Sequence, residues 1–417
     1  MSAKRQLPPG WAETTFGEIA TFKNGANFSA SDRGTELKML GVGDFQDRAV
    51  LKDTKYLKSV HLASQPSEDN FLETEDLVFV RSNGSKELVG RCLHIECSPR
   101  LLIYSGFCIR ARLYSDVTSA RYVNLLMQNG VLKKQLVKDG RGTNISNLNQ
   151  GILDKLTLVL PPLAEQRAIA NLLTSWDEAI NKTKELIKAK EKRYKWLLRE
   201  FISEPQNLQN GVKWEKLKFK HIFKSNHCKN VSNKDLPVLS VTTNGIVFQS
   251  EYFNKEVASD DKASYLIVER GDFVMSGLNF WMGSIDFQTI CEAGVVSPAY
   301  KVFKLTNGSC VPEYLHHFIR SDEMLRILDR SSVQGASIVR RNLDTNALNN
   351  SYINLPCKNS QMQIASTLSS AQHEIDLLKQ LADKYKTQKR GLMQKMLTGE
   401  WRVKPEIVNQ YMEANHG

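Results

Sequence analysis

An internal repeat is the feature of this sequence that most constrains its fold. Residues 160–197 align without a gap with residues 355–392, a shift of 195 positions, and identical residues coincide along the match. A weaker match upstream gives Trp11, Phe16 and Ile19 the spacing of Trp214, Phe219 and Ile222. The sequence therefore predicts two copies of one plan, each a globular segment followed by a helix. The coincident pairs include Leu160 with Leu355, Pro161 with Pro356, Gln166 with Gln361, Ile169 with Ile364 and Leu173 with Leu368.

Each copy ends in a stretch with the pattern of a long helix. Apolar residues recur there in alternating steps of four and three, a period that places them along one side of a helix. Prolines flank both stretches, Pro162 and Pro205 in the first, Pro356 and Pro405 in the second. The pattern predicts two helices of about 40 residues, roughly 60 Å long, that pair in antiparallel orientation. The apolar positions predicted to pair them are Ile169, Leu173, Trp176, Ile180, Ile187, Leu197, Ile364, Leu368, Ile375, Leu378 and Leu392.

A single helix of this kind fits an ordinary bundle helix or a dimerisation element equally well. Two helices of equal length and register in one chain favour pairing within the chain. The first helix also has a basic face, which is a solvated surface or a contact for a partner or the DNA backbone. This face comprises Lys182, Lys184, Lys188, Lys192, Arg193 and Lys195.

The globular segments mix short apolar runs with turns rich in Gly, Asn, Ser and Asp, which indicates strands and helices together. The predicted fold class is α+β, with two globular domains separated by two long antiparallel coiled-coil helices in a pseudo-twofold internal repeat. The predicted boundaries are 1–160 and 204–355 for the domains, 161–203 and 356–400 for the helices, and 401–417 for a C-terminal tail. Candidate elements are strands at Leu77–Val80, Leu101–Tyr104, Phe107–Leu113, Val238–Val241, Phe273–Met275 and Tyr300–Leu305, and helical patterns at Ala120–Val137 and Pro312–Leu328.

The composition indicates an anionic partner. The 417 residues include 56 Lys and Arg against 45 Asp and Glu, a formal net charge of +11. Such an excess attracts phosphates, so nucleic acid is the leading candidate. Seven scattered cysteines favour reduced thiols. Because no apolar signal region and no run of about 18 apolar residues occur, we expect a soluble cytoplasmic protein.

Catalytic motifs are missing from the sequence. It has no G-x-x-x-x-G-K-[ST] phosphate loop, and "LPPL" at 160–163 has Leu where a DNA amino-methyltransferase element has Asn or Asp and an aromatic residue. His94 with Cys97, and His227 beside Cys228, lack companions at metal-ligand spacing. We therefore expect no catalytic residue, no metal and no cofactor in this chain.

Recognition residues are concentrated in loops that follow an apolar strand or precede a long helix. Arg and Asn side chains in such loops can make bidentate contacts with guanine or adenine edges, although each of them fits a solvated turn equally well. The candidates are Arg81, Ser82, Asn83, Ser85, Lys86, Arg91, Arg141 and Asn144 in the first copy, and Ser276, Asn279, Trp281, Arg340 and Arg341 in the second.

Three motifs give the sequence a resemblance to a known family. "LPPGW" at 7–11, "LPPLAEQRAIANLL" at 160–173 and "LPCKNSQMQIASTLSS" at 355–370 make the chain similar to the specificity subunits of type I restriction-modification systems. The resemblance covers nearly the whole chain through its order of domain, helix, domain, helix. In the second helix motif, Cys357 and Ser360 depart from the pattern of the first.

The resemblance implies two target-recognition domains, each reading half of a bipartite double-stranded DNA site, with the helix pair setting their separation. It implies that the helices dock two DNA adenine-methyltransferase subunits, which carry S-adenosylmethionine, and that motor-nuclease restriction subunits using ATP and Mg²⁺ can join. This chain would then be noncatalytic.

Two alternatives belong to other classes of protein. A coiled-coil scaffold that binds only proteins would not bind duplex DNA. A single-chain methyltransferase or nuclease is disfavoured by the missing motifs.

Overall fold

The chain folds into two compact units. The computed structural model describes residues 7–27, 34–46, 48–62, 66–83, 87–97, 101–129, 132, 135–136, 147–203, 213–252, 262–334 and 341–413. Unit 1 comprises residues 1–182 and 382–417, and unit 2 comprises residues 183–381. Each unit therefore combines one globular part with part of each long helix.

Unit 1 begins with a mixed succession of strands and short helices and leads into the first long helix. Its order is β1 (Ala12–Thr15), α1 (Phe16–Ile19), β2 (Ala20–Asn24), β3 (Thr35–Leu40), β4 (Val50–Leu51), β5 (Ser59–Leu62), β6 (Leu77–Val80), β7 (Cys92–Ile95), β8 (Leu102–Tyr104), β9 (Cys108–Leu113), α2 (Ala120–Gln128), α3 (Gln150–Asp154), β10 (Thr157–Leu160) and α4 (Leu163–Leu198). A single π-helical turn, Arg199–Ser203, follows α4.

Unit 2 repeats this succession and leads into the second long helix. Its order is β11 (Trp214–Lys218), α5 (Phe219–Ile222), β12 (Phe223–Asn226), β13 (Leu239–Thr242), β14 (Gly245–Phe248), α6 (Gln249–Tyr252), β15 (Leu266–Glu269), β16 (Phe273–Met275), β17 (Ile285–Phe287), β18 (Ala293–Val296), β19 (Lys301–Leu305), α7 (Pro312–Phe318), α8 (Asp322–Arg330), β20 (Ser332–Gln334), β21 (Arg341–Leu343), α9 (Thr345–Asn350), β22 (Tyr352–Pro356) and α10 (Lys358–Met396). A last helix, α11 (Pro405–Glu413), belongs to unit 1.

The central sheets of the two units share the order of four strands, and unit 1 adds a fifth strand, β4, at one edge. Unit 1 has β2-β9-β6-β7-β4, and unit 2 has β12-β19-β16-β17. The middle strands are buried on both faces, as the apolar runs of β6 and β16 require. A smaller two-stranded sheet, β1-β10 in unit 1 and β11-β22 in unit 2, leads into the long helix of each unit. The mixed α+β fold and the internal repeat are thus confirmed.

Most of the candidate elements occur where the sequence places them, with two corrections. The helix predicted at Ala120–Val137 ends at Gln128, because Asn129 has an extended backbone conformation.

The helical pattern at 312–328 is divided into α7 and α8 rather than forming one helix. The hydroxyl of Ser321 donates to the Phe318 carbonyl at 2.6 Å and accepts from the Met324 N–H at 3.4 Å. One side chain thus terminates the first helix and caps the second, which breaks the pattern at this residue.

The long helices pair in antiparallel orientation, because each unit joins the N-terminal part of one to the C-terminal part of the other. In unit 1, Asp177 of α4 forms an ion pair with Lys389 of α10 at 2.6 Å. The Trp176 and Tyr385 rings meet edge to face with centroids 5.5 Å apart. In unit 2, Lys190 of α4 pairs with Glu374 of α10 at 2.6 Å.

Burial along the helices follows the predicted apolar period. All eleven positions proposed to pair the helices are buried or half-buried. The period also contains two lysines, Lys190 and Lys389, and both form the interhelical ion pairs just described. The six basic residues of the opposite face, 182, 184, 188, 192, 193 and 195, are exposed.

None of the helices in the described part of the chain is long and apolar enough to cross a membrane.

A buried glutamine fixes the start of each long helix. In unit 1, the Gln166 side chain donates to the carbonyls of Val117 and Pro161 at 3.1 and 2.9 Å and accepts from the Ser119 N–H at 2.9 Å. In unit 2, the Gln361 side chain makes the same set of bonds, with the Ser309 and Pro356 carbonyls at 3.2 and 2.9 Å and with the Val311 N–H at 2.8 Å. Each amide thus ties the helix to its preceding strand and to the N-terminus of the short helix α2 or α7.

The glutamine contacts predict a large loss of stability on substitution. Gln361→Leu would leave two buried groups, the Val311 N–H and the Pro356 carbonyl, without this partner, and each buried group left unsatisfied costs about 1–3 kcal/mol. We expect the free energy of unfolding, measured by urea denaturation, to fall by about 2–4 kcal/mol. The exposed Gln363 on the same helix provides the control, because Gln363→Leu should change it by less than about 0.5 kcal/mol. Equal effects of the two substitutions would contradict this role.

Candidate nucleic-acid interface

The loop after β6 in unit 1 is held by backbone hydrogen bonds on two sides. The Arg81 N–H donates to the Phe107 carbonyl at 2.8 Å, and the Arg81 carbonyl accepts from the Leu148 N–H at 2.8 Å. Arg81, Ser82 and Asn83 are half-buried at the end of the strand. The structure therefore brings the loop after β6 next to the segment that precedes β10 and helix α4.

Four of the predicted contact residues of unit 1 lie outside the described residues: Ser85, Lys86, Arg141 and Asn144. Arg91 is described and exposed, and its guanidinium donates to the Gln46 carbonyl. It lines a cleft with Arg48, Gly90 and Gln128. The exposed Arg48 packs its guanidinium 3.8 Å from the centre of the Tyr56 ring. Arg48 was not predicted from the sequence, because its place beside Arg91 arises from the fold.

The corresponding loop of unit 2 follows β16. Ser276 is buried, and its hydroxyl accepts from the N–H groups of Leu278 and Asn279 at 3.5 and 3.3 Å. This hydroxyl shapes the loop from inside and leaves Asn279 exposed. Of the candidates in this loop, Asn279 and the half-buried Trp281 are thus the ones open to a ligand.

Trp281 connects this loop to the segment that precedes β22 and helix α10. The Arg341 guanidinium lies 4.3 Å from the centre of the Trp281 ring. Arg341 also forms an ion pair with Asp329 and donates to the Ser332 hydroxyl at 3.0 Å. Arg340 lies outside the described residues. The two candidate segments of unit 2 therefore meet, as they do in unit 1.

Several other basic residues are occupied inside the fold. Arg112 of β9 makes a bidentate contact with the buried Asp76, at 2.9 and 2.8 Å, and this contact raises the pKa of the guanidinium. Arg110 donates to the Asp69 carboxylate at 3.1 Å, and in unit 2 Arg320 donates to Asp286 at 3.0 Å. These arginines serve the structure of the units, so the count of 56 Lys and Arg overstates the number of cations open to phosphates.

A chain of polar groups joins three helices of unit 2. The Tyr194 hydroxyl lies 2.8 Å from His317 Nδ1, and His317 Nε2 lies 2.9 Å from the Ser369 hydroxyl. Burial lowers the pKa of His317 to about 4 and raises the pKa of Tyr194 to about 12. Both groups are therefore neutral near pH 7 and join α4, α7 and α10 within the unit.

Metal-ligand clusters are missing from the part of the chain that the structure describes, where no group of three His, Cys, Asp or Glu side chains converges. His94 is fully buried, with Nε2 3.3 Å from the Glu75 carboxylate.

Comparison with known proteins finds similarity to one kind of protein. Residues 8–191 match the model of the type I restriction modification DNA specificity domain. The specificity subunit of the type I restriction enzyme StySPI from Salmonella potsdam is 28% identical over 167 residues, 38% of this chain and 35% of that protein. The match thus spans about a third of that relative. The specificity subunit of EcoKI from Escherichia coli strain K12 is 22% identical over 363 residues, 77% of this chain and 73% of that protein.

The fold matches a solved structure from the same family. The HsdS subunit from Thermoanaerobacter tengcongensis aligns with a TM-score of 0.53 and 15% identity, over 96% of this chain and 99% of that chain. At this identity the likeness shows the fold alone. Together with the sequence matches, it makes this chain similar to the specificity subunits of type I restriction-modification systems.

Proposed function

We propose that this chain is the subunit that reads a bipartite, asymmetric DNA site in a type I restriction-modification complex. Unit 1 reads one half-site and unit 2 reads the other. The observation that carries the proposal is that both units bring the same two segments together. In each unit, the loop after β6 or β16 meets the segment before the long helix. The loop of unit 1 and the loop of unit 2 nevertheless present different side chains. Equivalent positions with different side chains suit two half-sites of different sequence.

Recognition in this proposal combines phosphate contacts with base contacts. Phosphate contacts by Lys and Arg supply affinity and make it fall with salt, whereas base-edge contacts select the sequence. Arg81 and Asn83 are the base-reading candidates of unit 1, and Asn279 and Trp281 those of unit 2. Ser82, Ser85, Lys86, Arg91, Arg141 and Asn144 complete the proposed surface of unit 1, and Arg340 and Arg341 that of unit 2. The buried Ser276 supports the loop of unit 2 from inside.

Catalysis belongs to other subunits of the complex. Specificity subunits are noncatalytic and act with DNA and with methyltransferase and restriction subunits. We propose that the paired helices dock two DNA adenine-methyltransferase subunits, which supply S-adenosylmethionine. Restriction subunits that use ATP and Mg²⁺ join the same complex. The exposed basic face of α4 is available for such contacts or for the DNA backbone.

Sequencing of modified bases tests the function most directly. Cells that carry this chain and its methyltransferase should show adenine methylation in both halves of one split motif. In a separate binding assay, the chain should bind duplex DNA with an affinity that falls steeply between about 50 and 200 mM salt. A scaffold that binds only proteins would bind no duplex at any of these salt concentrations.

Substitutions in the two loops should affect different half-sites. Arg81→Ala should relax the sequence requirement in one half, and Asn279→Ala should relax it in the other. A lost bidentate base contact weakens discrimination by about 1–3 kcal/mol, roughly 5–150-fold. The measurement is binding to duplexes with single base-pair changes in each half. A change that either variant produces in both halves would contradict the assignment of one unit to one half.

Helix length should set the spacer between the half-sites. Both helices pass from one unit into the other. Seven residues inserted after Lys182 and seven after Leu381 preserve the apolar period and add about 10 Å to each helix. We expect a spacer about three base pairs longer, with both halves unchanged, in the methylated motif. Insertion into one helix alone should abolish site-specific binding, because it shifts the pairing partners. A constant spacer in the double insertion would refute this proposal.

A further inference from the structure

Phe107 is a large apolar residue held in an exposed position. It is 60% exposed and lies in the tight turn between β8 and β9. The turn is closed by a hydrogen bond from the Cys108 N–H to the Ser105 carbonyl at 2.8 Å. The Ser105 hydroxyl accepts from the Phe107 N–H at 3.3 Å. The turn therefore holds its own shape without burying the aromatic ring.

The turn is also hydrogen-bonded to the segment that follows β2. The Gly106 N–H donates to the Ala26 carbonyl at 2.7 Å. The chain approaches so closely here that a Cβ atom at Gly25 would lie 2.2 Å from the Ser105 carbonyl oxygen. Only glycine fits at that position. Phe107 is consequently presented from a rigid support, which lowers the entropy that it would lose on contact with a ligand.

The turn lies beside the proposed reading loop of unit 1. The Phe107 carbonyl accepts from the N–H groups of Arg81 and Ser82, at 2.8 and 3.4 Å. Strands β6 and β9 run antiparallel, with Val80 opposite Cys108, so the loop and the turn share one end of the sheet. A ligand that reaches Arg81 and Asn83 thus also reaches Phe107.

Unit 2 contains the same turn with a different side chain. Between β18 and β19, the Tyr300 N–H donates to the Ser297 carbonyl at 3.0 Å, and the Ser297 hydroxyl accepts from the Ala299 N–H at 3.5 Å. The Ala299 carbonyl also faces the loop after β16, where a Cβ atom at Gly277 would lie 1.9 Å from it. Ala299 therefore occupies the position of Phe107 and is exposed as well.

We propose that Phe107 contacts the 5-methyl group of a thymine in the half-site read by unit 1. This assignment rests on the proposed function and adds a specificity-determining residue that the sequence analysis did not find. A phenyl ring has no hydrogen-bonding atoms, and the thymine methyl is the one apolar group on the base edges of the major groove. Beside it, Arg81 and Asn83 are of the kinds that hydrogen-bond to purine edges in the same groove. Phe107 thus adds thymine to the bases that this end of the sheet can distinguish.

Removal of the methyl group from the DNA tests the contact. The full chain first selects a duplex from a random-sequence pool, and each thymine of the selected duplex is then replaced singly by deoxyuridine. We expect the wild-type affinity to fall about fourfold at one thymine, the effect of one buried methyl group. Phe107→Ala should weaken binding to the thymine duplex. The variant should bind the thymine duplex and the deoxyuridine duplex with equal affinity. Because Ala299 shows that this turn accepts alanine, the variant should keep the wild-type thermal unfolding temperature.

Tyr114 supplies a matched control. It is 46% exposed and directly follows Leu113 at the opposite end of β9. Tyr114→Ala should retain the wild-type sensitivity to deoxyuridine.

Three results would overturn the inference. One is a selected site with no thymine in the half that Arg81 affects. Another is a wild-type affinity that stays the same after every single replacement of thymine by deoxyuridine. This result can be obtained without the variant. The third is a Phe107→Ala loss that is equal for thymine and deoxyuridine, as expected for a ring wedged between bases. Failure of the wild-type chain to select any duplex would instead refute the proposed function itself.

Discussion

The hydrogen bonds of one buried glutamine in each unit are the contact on which the rest of the structure depends. A side-chain amide can donate and accept at once, so Gln166 and Gln361 each satisfy two carbonyls and one N–H from separate segments. Loss of the amide would remove all of these bonds and leave the Pro161 or Pro356 carbonyl unsatisfied in a buried place, where the cost is highest. The glutamine thereby fixes the direction in which each long helix leaves its sheet. The antiparallel pairing within each unit follows from that direction and from the apolar period of the helices.

Other residues that recur in the two units also support the backbone. Asp76 and Asp272 precede β6 and β16, and their carboxylates accept from the N–H groups of Glu73 and Glu269 at 2.7 and 3.0 Å. The N–H groups of Phe16 and Phe219, the first residues of α1 and α5, donate to the equivalent carbonyls of Leu156 and Ser351, at 2.8 and 2.9 Å. These bonds do not require any particular exposed side chain. The repeat therefore preserves the frame, whereas the residues at the end of the central sheet differ.

The sequence predicted the features that local patterns determine. The period of the helices and their flanking prolines predicted α4 and α10 with nearly their observed bounds, and the apolar run of β6 predicted that strand completely. It did not predict roles that arise between distant residues. Glu165 is buried and contacts Arg402 at 2.6 Å, although 237 positions separate them. Likewise, Arg110 and Arg112 count as basic residues in the composition, but the carboxylates that occupy them follow from strand pairing. Phe107 was missed because its exposure depends on a turn closed by backbone bonds.

Under the proposed function, a frame of this kind would let two units of one fold read different DNA sequences. The turn at 105–108 and the turn at 297–300 have the same hydrogen bonds, yet they present phenylalanine in one case and alanine in the other. An exposed side chain on such a turn contributes little to folding, because the turn is closed by the backbone and by a serine hydroxyl. Its exchange therefore changes the surface offered to DNA at little cost in stability. The same reasoning applies to Asn83 and Asn279, which lie in loops held by other residues. Specificity can thus change in one unit while the glutamine contacts, the helix pair and the other unit remain as they are.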